Sequence, residues 1–326
     1  MTQGTRTPTP ELVDAAHALE THAAYCYWPE WSVVKVRGDD RVSWLNGQIT
    51  NDVRQIGAET SVHALAVNVR GKILAEVWAL DVGESLLLLV PSQDQATLLE
   101  NLERYVIMED VILEAAPELR ILALEGPAAD SHAQLVEAPE VIRRACDPLG
   151  LGGYVWVGTE TALASIATQL EQRGIAGIAS AAYDLVRLRR GLPRYRVDFD
   201  EHHYPQEAGL KDLVSFQKGC YLGQEVVCTL ENRGRLSRKL CVLQGTSDQV
   251  PTPTTPLTAA DSGHGQESIG AVTSAAWDQE HKVARILGYL KRTHITLGAT
   301  VNAGSVPLTI VSVVGDETEP TATASK

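Results

Sequence analysis

The sequence predicts an α+β protein of three domains that ends in a small β-barrel. Three observations carry this. The chain has 326 residues, and single hydrophobic cores stop growing near ~250–300 residues. Its first two thirds alternate strand-like and helix-like periods. Leu236 to Val314 shows short strand-like runs divided by turns and no helical period, the pattern of a small barrel. The expected boundaries are 1–118, 119–235 and 236–314, with a disordered tail over 315–326.

The elements follow in order. Residues 1–22 read as a loose arm and a short helix. Ser32–Val36 is a strand ended by Gly38, and Asp39 caps a helix with Val42, Leu45 and Ile49 on one face. His63–Val67, Lys72–Leu80 and Ser85–Val90 are strands, with hairpin turns at Arg70-Gly71 and Asp81–Glu84. Ser92 opens a helix, with Gln95 completing a capping box, and Leu98, Leu102 and Val106 share its inner face. Val111–Ala115 closes a ferredoxin-like layer. In the second unit, Arg120–Leu124 and Gly153–Val157 are strands. A helix beginning at Thr159 or Thr161 buries Leu163, Ile166 and Leu170 and stops at Gly174. Tyr183–Arg190 is a further helix. The third unit has strands at Lys239–Gln244, Ile269–Ser274, Val283–Leu290 and Leu308–Val313, and a surface loop over Asp248–Ser268.

Composition narrows the function. A net charge of −13 opposes broad contact with nucleic acid or anionic membranes. A basic group (Arg187, Arg189, Arg190, Arg194 and Arg196, then Arg233, Arg235, Arg238 and Lys239) reads either as a small polyanion site or as solvated edges. The five cysteines are odd in number and contain no CxxC pair, which points to a reducing, cytoplasmic setting without disulfides or a zinc ribbon. Met1 to Glu11 lacks a secretory pattern, and the apolar run Leu86–Val90 is a buried strand, far short of a membrane span. Phosphate-binding, dinucleotide and serine-hydrolase signatures are absent, and His202-His203 reads as an exposed loop pair rather than metal ligands.

The informative stretch is Lys218-Gly219-Cys220-Tyr221-Leu222-Gly223-Gln224-Glu225, followed by an amphipathic run from Val226 to Leu230. It reads as a cysteine at a turn feeding a helix N-terminus. There, backbone N–H groups, the helix dipole and Lys218 favour thiolate. The alternative is a small buried hydrophobe, the reading given to Cys228 and Cys241.

This stretch resembles the K-G-C-Y-x-G-Q-E signature of the YgfZ-type branch of the aminomethyltransferase family. Its flanks agree: Arg189 to Leu210 resembles the segment ending P-x-E-A-G-L, Ser43 to Val53 the Q-G-Q-x-T-x-D-V segment, and Ile269 to Ser274 the G-x-V-T-S barrel strand. The resemblance implies a three-domain ring around a tetrahydrofolate-binding channel and a monomer serving iron–sulfur proteins or their assembly factors. Any link to tRNA is then indirect. It also implies that Cys220, with Lys218 and Glu225, forms the functional motif. Folate would be held by Trp31 through stacking, Glu207 at the pterin edge and Arg235, with Asn51, Asp52 and Tyr195 in second rank. Three roles for Cys220 stay open: accepting a group, forming a mixed disulfide, or holding a cluster. The sequence departs from the aminomethyltransferases where they carry paired aspartates, since Ala75-Glu76 stands there. The competing reading is a folate-dependent aminomethyltransferase or demethylase, which Ala75 opposes.

Overall fold

In the computed structural model, which describes residues 9–260 and 267–316, the strands form two sheets and a barrel. The chain opens with α1 (Pro10–Thr21), β1 (Ala24–Tyr27), β2 (Trp31–Arg37), α2 (Arg41–Asn46), β3 (Ser61–Val67), β4 (Ile73–Asp81), β5 (Ser85–Pro91), α3 (Gln95–Glu103) and β6 (Ile112–Ala115). β7 (Arg120–Glu125), α4 (Ala129–Ala133), β8 (Ile142–Ala145), β9 (Gly153–Gly158), α5 (Glu160–Glu171), α6 (Ser180–Arg189) and α7 (Gln224–Arg233) follow. The rest is β10 (Arg238–Gly245), β11 (Pro256–Ala259), β12 (Gly270–Asp278), β13 (Val283–Lys291), β14 (Thr300–Ala303) and β15 (Val306–Val313).

β2 to β6 form an antiparallel sheet in the order β3-β4-β5-β2-β6, the ferredoxin-like layer with one added strand. Val34, Val36, Leu86 and Leu88 face α2 and α3 on one side. The opposite face, with Val33, Trp78, Leu80 and Leu89, packs on the second sheet through Ala123, Val155 and Val157. Burying each of these larger side chains contributes roughly 1.5–3 kcal/mol. The second sheet runs β1-β7-β9-β8, and β10 to β15 close into a barrel in the order β10-β13-β12-β11-β14-β15. Among the described residues, no helix is long and apolar enough to cross a membrane.

Several expectations need correction. α2 ends at Asn46, its N-cap is Asp40 rather than Asp39, and Ile49 is buried beyond the helix. α3 starts at Gln95, and no capping box forms because the Gln95 side chain donates to the Val33 carbonyl instead. The residues just after the expected arm and helix form β1, which was not expected; it pairs with β7, so residues 24–27 belong to the second sheet by hydrogen bonding. β11 lies inside the expected 248–268 loop, whose residues 261–266 fall outside the described ones. Of the expected disordered tail, residues 317–326 also fall outside them. His203 is not an exposed loop residue: its ring stacks on Tyr289 with centroids 4.7 Å apart, and its Nδ1 meets Asp200 at 2.8 Å.

Candidate functional site

The signature loop docks on the first domain by backbone and buried polar contacts. Lys218 Nζ donates to the carbonyls of Ile49 at 2.8 Å and Asn51 at 2.7 Å. Leu222 N donates to Gly47 O at 3.0 Å, and Ser215 N to Thr50 O at 3.0 Å. Thr50 Oγ1 donates to the Leu213 carbonyl at 2.6 Å and accepts from Leu65 N at 2.9 Å. The two segments singled out in the sequence, 43–53 and 218–225, are therefore two sides of one joint.

Gly223 fits this joint because it caps α7 at φ 78°, and a methyl there would run into the Asn68 carbonyl oxygen. Tyr221 is buried, and its amide donates to the Gln224 side chain at 3.3 Å. Between these anchored neighbours Cys220 is exposed, and Glu225 lies exposed in the first turn of α7. Lys218 points inward, and burial pushes its ammonium down to about 8. Its charge is engaged by carbonyls on the side away from solvent, so the loop offers a surface thiol three residues ahead of the helix cap. Cys228 is half-buried, while Cys26, Cys146 and Cys241 are buried, with Cys241 pushed up to about 12 by desolvation.

A cavity of about 550 Å³ opens where the three units meet. One wall comes from the first domain: Trp31 at the start of β2, His63 on β3, and Glu76 and Trp78 on β4. Trp28 and Trp31 lie 5.4 Å apart between ring centroids. His63 stacks on Trp78 at 3.9 Å, and its Nε2 meets Glu76 Oε1 at 2.7 Å. Glu76 Oε2 has no hydrogen-bond partner in the protein among the described residues, nor is it sealed from solvent. A second wall comes from Tyr183 and Arg187 of α6 with the following Arg190 and Arg194, and a third from Val242, Val313 and Val314 of the barrel. Gly209, Leu210 and Leu213, just ahead of the signature loop, line the cavity as well.

Strand parity changes the reading of Ala75-Glu76. Ala75 is fully buried in the core under α2 and α3 with Val77 and Ala79, whereas Glu76 and Trp78 face the cavity. A carboxylate at position 75 would enter that core, so Ala75 removes no acid from the cavity; Glu76 supplies one.

The other proposed ligand contacts lie elsewhere. Asn51 donates to the His63 carbonyl at 2.9 Å, and Asp52 is held by Arg54, which lowers its carboxyl pKa. Tyr195 is buried against Phe199 and donates to the Leu74 carbonyl at 2.8 Å. Glu207 is 5% exposed and accepts from Tyr204 N at 3.0 Å and Arg238 Nε at 3.1 Å, with Lys72 Nζ at 3.6 Å. Arg235 is exposed. Of the residues expected to bind folate, Trp31 alone lines the cavity. Sequence reasoning passed over His63, Trp28, Trp78 and Tyr183. Glu76 and Trp78 were legible as an i, i+2 pair on one strand face.

The basic group is mostly paired. Arg189 binds Asp278, Glu20 and Glu280, Arg196 binds Asp94, and Lys239 binds Asp316. Asp198 is fully buried; it accepts from Arg187 at 2.8 Å and from Thr273 and Ser274 of β12, joining the segment after α6 to the barrel.

No family model matches the chain. The tRNA-modifying protein YgfZ of Colwellia psychrerythraea is 25% identical over 256 residues, covering 75% of this chain and 78% of that protein. Its namesake from Yersinia enterocolitica is 26% identical over 236 residues, covering 68% and 71%. The glycine cleavage system aminomethyltransferase T from Bartonella henselae superposes with a TM-score of 0.80 at 19% identity, over 94% of this chain and 90% of that one, which shows a shared fold. The resemblance carried by the signature loop is thereby borne out: this chain is a relative of the YgfZ tRNA-modifying proteins, built on the aminomethyltransferase fold.

Proposed function

We propose that the chain is a tetrahydrofolate-binding accessory factor for the synthesis or repair of iron–sulfur proteins, with Cys220 as its acting residue. The observation that supports this best is the cavity. Its volume falls within the ~300–1,000 Å³ of small-molecule sites. Trp31, half-buried at the start of β2, offers a face on which a pterin stacks. The open Glu76 Oε2 suits the N–H groups of a pterin edge, the role the resemblance gives to Glu207, whose oxygens are engaged within the protein. A bound reduced folate supplies one-carbon and reducing chemistry; the protein binds and orients it.

The thiol stands outside the cavity on the surface, where a partner protein reaches it. The relatives' name points to tRNA modification. With a net charge of −13, that link runs through an iron–sulfur enzyme that modifies tRNA.

Calorimetric titration with tetrahydrofolate tests the cavity. At ~100 Kd the ligand should stabilise the fold by ~2.7 kcal/mol, and Trp31→Ala and Glu76→Gln should each weaken binding. A wild-type protein that takes up no reduced folate sinks the reading. In cells lacking the protein, Cys220→Ala should fail to restore the activity of iron–sulfur enzymes.

A second reading has one observation in its favour, the cavity-facing Glu76 beside His63. It makes the chain a folate-dependent aminomethyltransferase or demethylase. Formation of methylenetetrahydrofolate from an aminomethyl donor, surviving Cys220→Ala but not Glu76→Ala, would select it.

A further inference from the structure

Three side chains of the first-domain wall form one unit. In the β3–β4 pairing His63 lies opposite Trp78 and Leu65 opposite Glu76, so Glu76 sits diagonally from His63 on the same face. Diagonal neighbours on a sheet are within reach of long side chains. The imidazole lies flat on the Trp78 indole, with centroids 3.9 Å apart and an interplanar angle of 10°. Trp78 is itself 6% exposed and packs in the core between the two sheets, so the platform is fixed. The backbone of His63 is held as well, because its carbonyl accepts from Asn51 Nδ2 at 2.9 Å. With ring and backbone both fixed, Nε2 comes to 2.7 Å from Glu76 Oε1.

A carboxylate only accepts, so Nε2 carries the hydrogen and the imidazole is the donor. It can donate from Nε2 whether neutral or protonated, so Oε1 stays matched on either side of neutrality. The bridge takes one oxygen of Glu76, fixes the rotation of the carboxylate and leaves Oε2 unmatched among the described residues. It also compensates a charge in an enclosed place. The two side chains are 21% and 13% exposed, and a carboxylate so enclosed takes up a proton unless a donor supports its charge. The other titratable groups around Glu76 are Cys146 after β8, Tyr183 of α6 and Tyr195 after it. Burial raises the pKa of all three, so each stays neutral below pH 9. Charges on the remaining walls, Glu30, Asp147 and Asp212 with Arg187, Arg190 and Arg194, are common to every variant at position 63 and cancel between them.

We infer that His63 is a positioning residue: it keeps Glu76 ionised, with Oε2 free to accept from an N–H of the bound pterin, so that the cavity retains a reduced folate into mildly acidic solution. The inference rests on the folate reading above. Trp78 then serves the ligand only through His63, by holding the ring that holds the carboxylate.

The test measures tetrahydrofolate affinity by calorimetry under reducing conditions from pH 8 down to pH 5. His63→Phe keeps a ring to lie on Trp78 and removes the donor; His63→Gln keeps an N–H donor and removes the ring. Without its donor the carboxylate takes up a proton more readily, and a protonated carboxyl accepts poorly from an N–H. The Kd of His63→Phe relative to wild type should therefore grow by about fivefold or more between pH 8 and pH 5, the worth of one hydrogen bond. Titration of the ligand itself cancels in that ratio. His63→Gln should give a nearly constant ratio. A role in shape alone would weaken binding equally at every pH, so a flat ratio in His63→Phe, or the same rising ratio in His63→Gln, overturns the inference. His63→Leu replaces the Phe variant should that one not fold. If the wild type binds tetrahydrofolate and Glu76→Gln weakens it while the His63→Phe ratio stays flat, the folate reading stands and the positioning role fails. If the wild type binds no reduced folate at any pH, both fail.

Discussion

Gly223, with the Lys218 and Leu222 contacts, holds the loop that carries Cys220. At Gly223 the backbone is left-handed, and the Asn68 carbonyl occupies the space of a side chain. Gly223→Ala should therefore cost about 1–3 kcal/mol in urea unfolding and loosen the loop on either side of the thiol. Cys220→Ala should change stability by no more than about 0.5 kcal/mol, because the side chain is exposed. Glu125 is the opposite case. It is 1% exposed, and neither oxygen closes a regular hydrogen bond. Desolvation first, then Asp147, holds its pKa well above the usual carboxylate range. The unfolded chain gives up this proton near pH 4.5 while the folded one keeps it, so stability falls as pH rises above that value. Glu125→Gln should accordingly stabilise the protein at pH 7 by about 1–3 kcal/mol, and the gain should vanish near pH 4. Equal stabilities at both pH values would refute this. The sequence made the turn glycine and the cysteine readable, because local spacing alone defines them. The surroundings of Ala75 and Glu207 were not legible, because their partners come from other elements: the core beneath β4 for the first, Arg238 and Lys72 for the second.

At the level of elements, the joint between residues 47–53 and 211–223 turns on Thr50. Thr50→Val keeps the shape but leaves the Leu65 amide and the Leu213 carbonyl without their buried partner. The expected loss is about 2–3 kcal/mol, together with weaker ligand binding, since Leu213 lines the cavity. Denaturant titration and calorimetry on the same variant check both. The long strands and amphipathic helices were legible because their periods repeat often enough to stand out. α5 shows this well: Thr159 accepts from the Ala162 amide, and Leu163, Ile166 and Leu170 are fully buried. β1, β8, β11 and β14 have four residues each, too few to show alternation, and tertiary pairing alone creates them.

Across the whole molecule, buried ion pairs and thiols set the limits of stability. Asp198→Ala would leave Arg187 with a buried charge deprived of one partner and detach the chain after α6 from β12. A loss of about 3–5 kcal/mol is expected in urea unfolding. Alkaline pH should weaken the fold as well. Burial raises the thiol pKa of Cys26, Cys146 and Cys241 and the phenol pKa of Tyr195 and Tyr221. The unfolded chain releases these protons from about pH 9 upward while the folded chain retains them, so their contribution is complete below pH 9 and is lost as pH climbs toward about 12. Lys218 acts in the other direction between about 8 and 10.5, but it is one group against five. Urea midpoints measured under reducing conditions from pH 8 to 11 should decline.

Gly209 and Gly315 both lie in the left-handed region at a close backbone crossing: a side chain at Gly209 would run into Val314, and one at Gly315 into the Gly209 backbone. Through that contact the end of β15 lies across the segment that carries Leu210 and Leu213, and Val313 and Val314 complete the hollow. Occupancy of the hollow and attachment of the barrel are thus one coupled equilibrium. A molecule seated inside should slow hydrogen exchange at the Leu240 and Val314 amides, which bridge the barrel to Glu207 and to itself. Loosening the barrel should in turn release what the tryptophans hold.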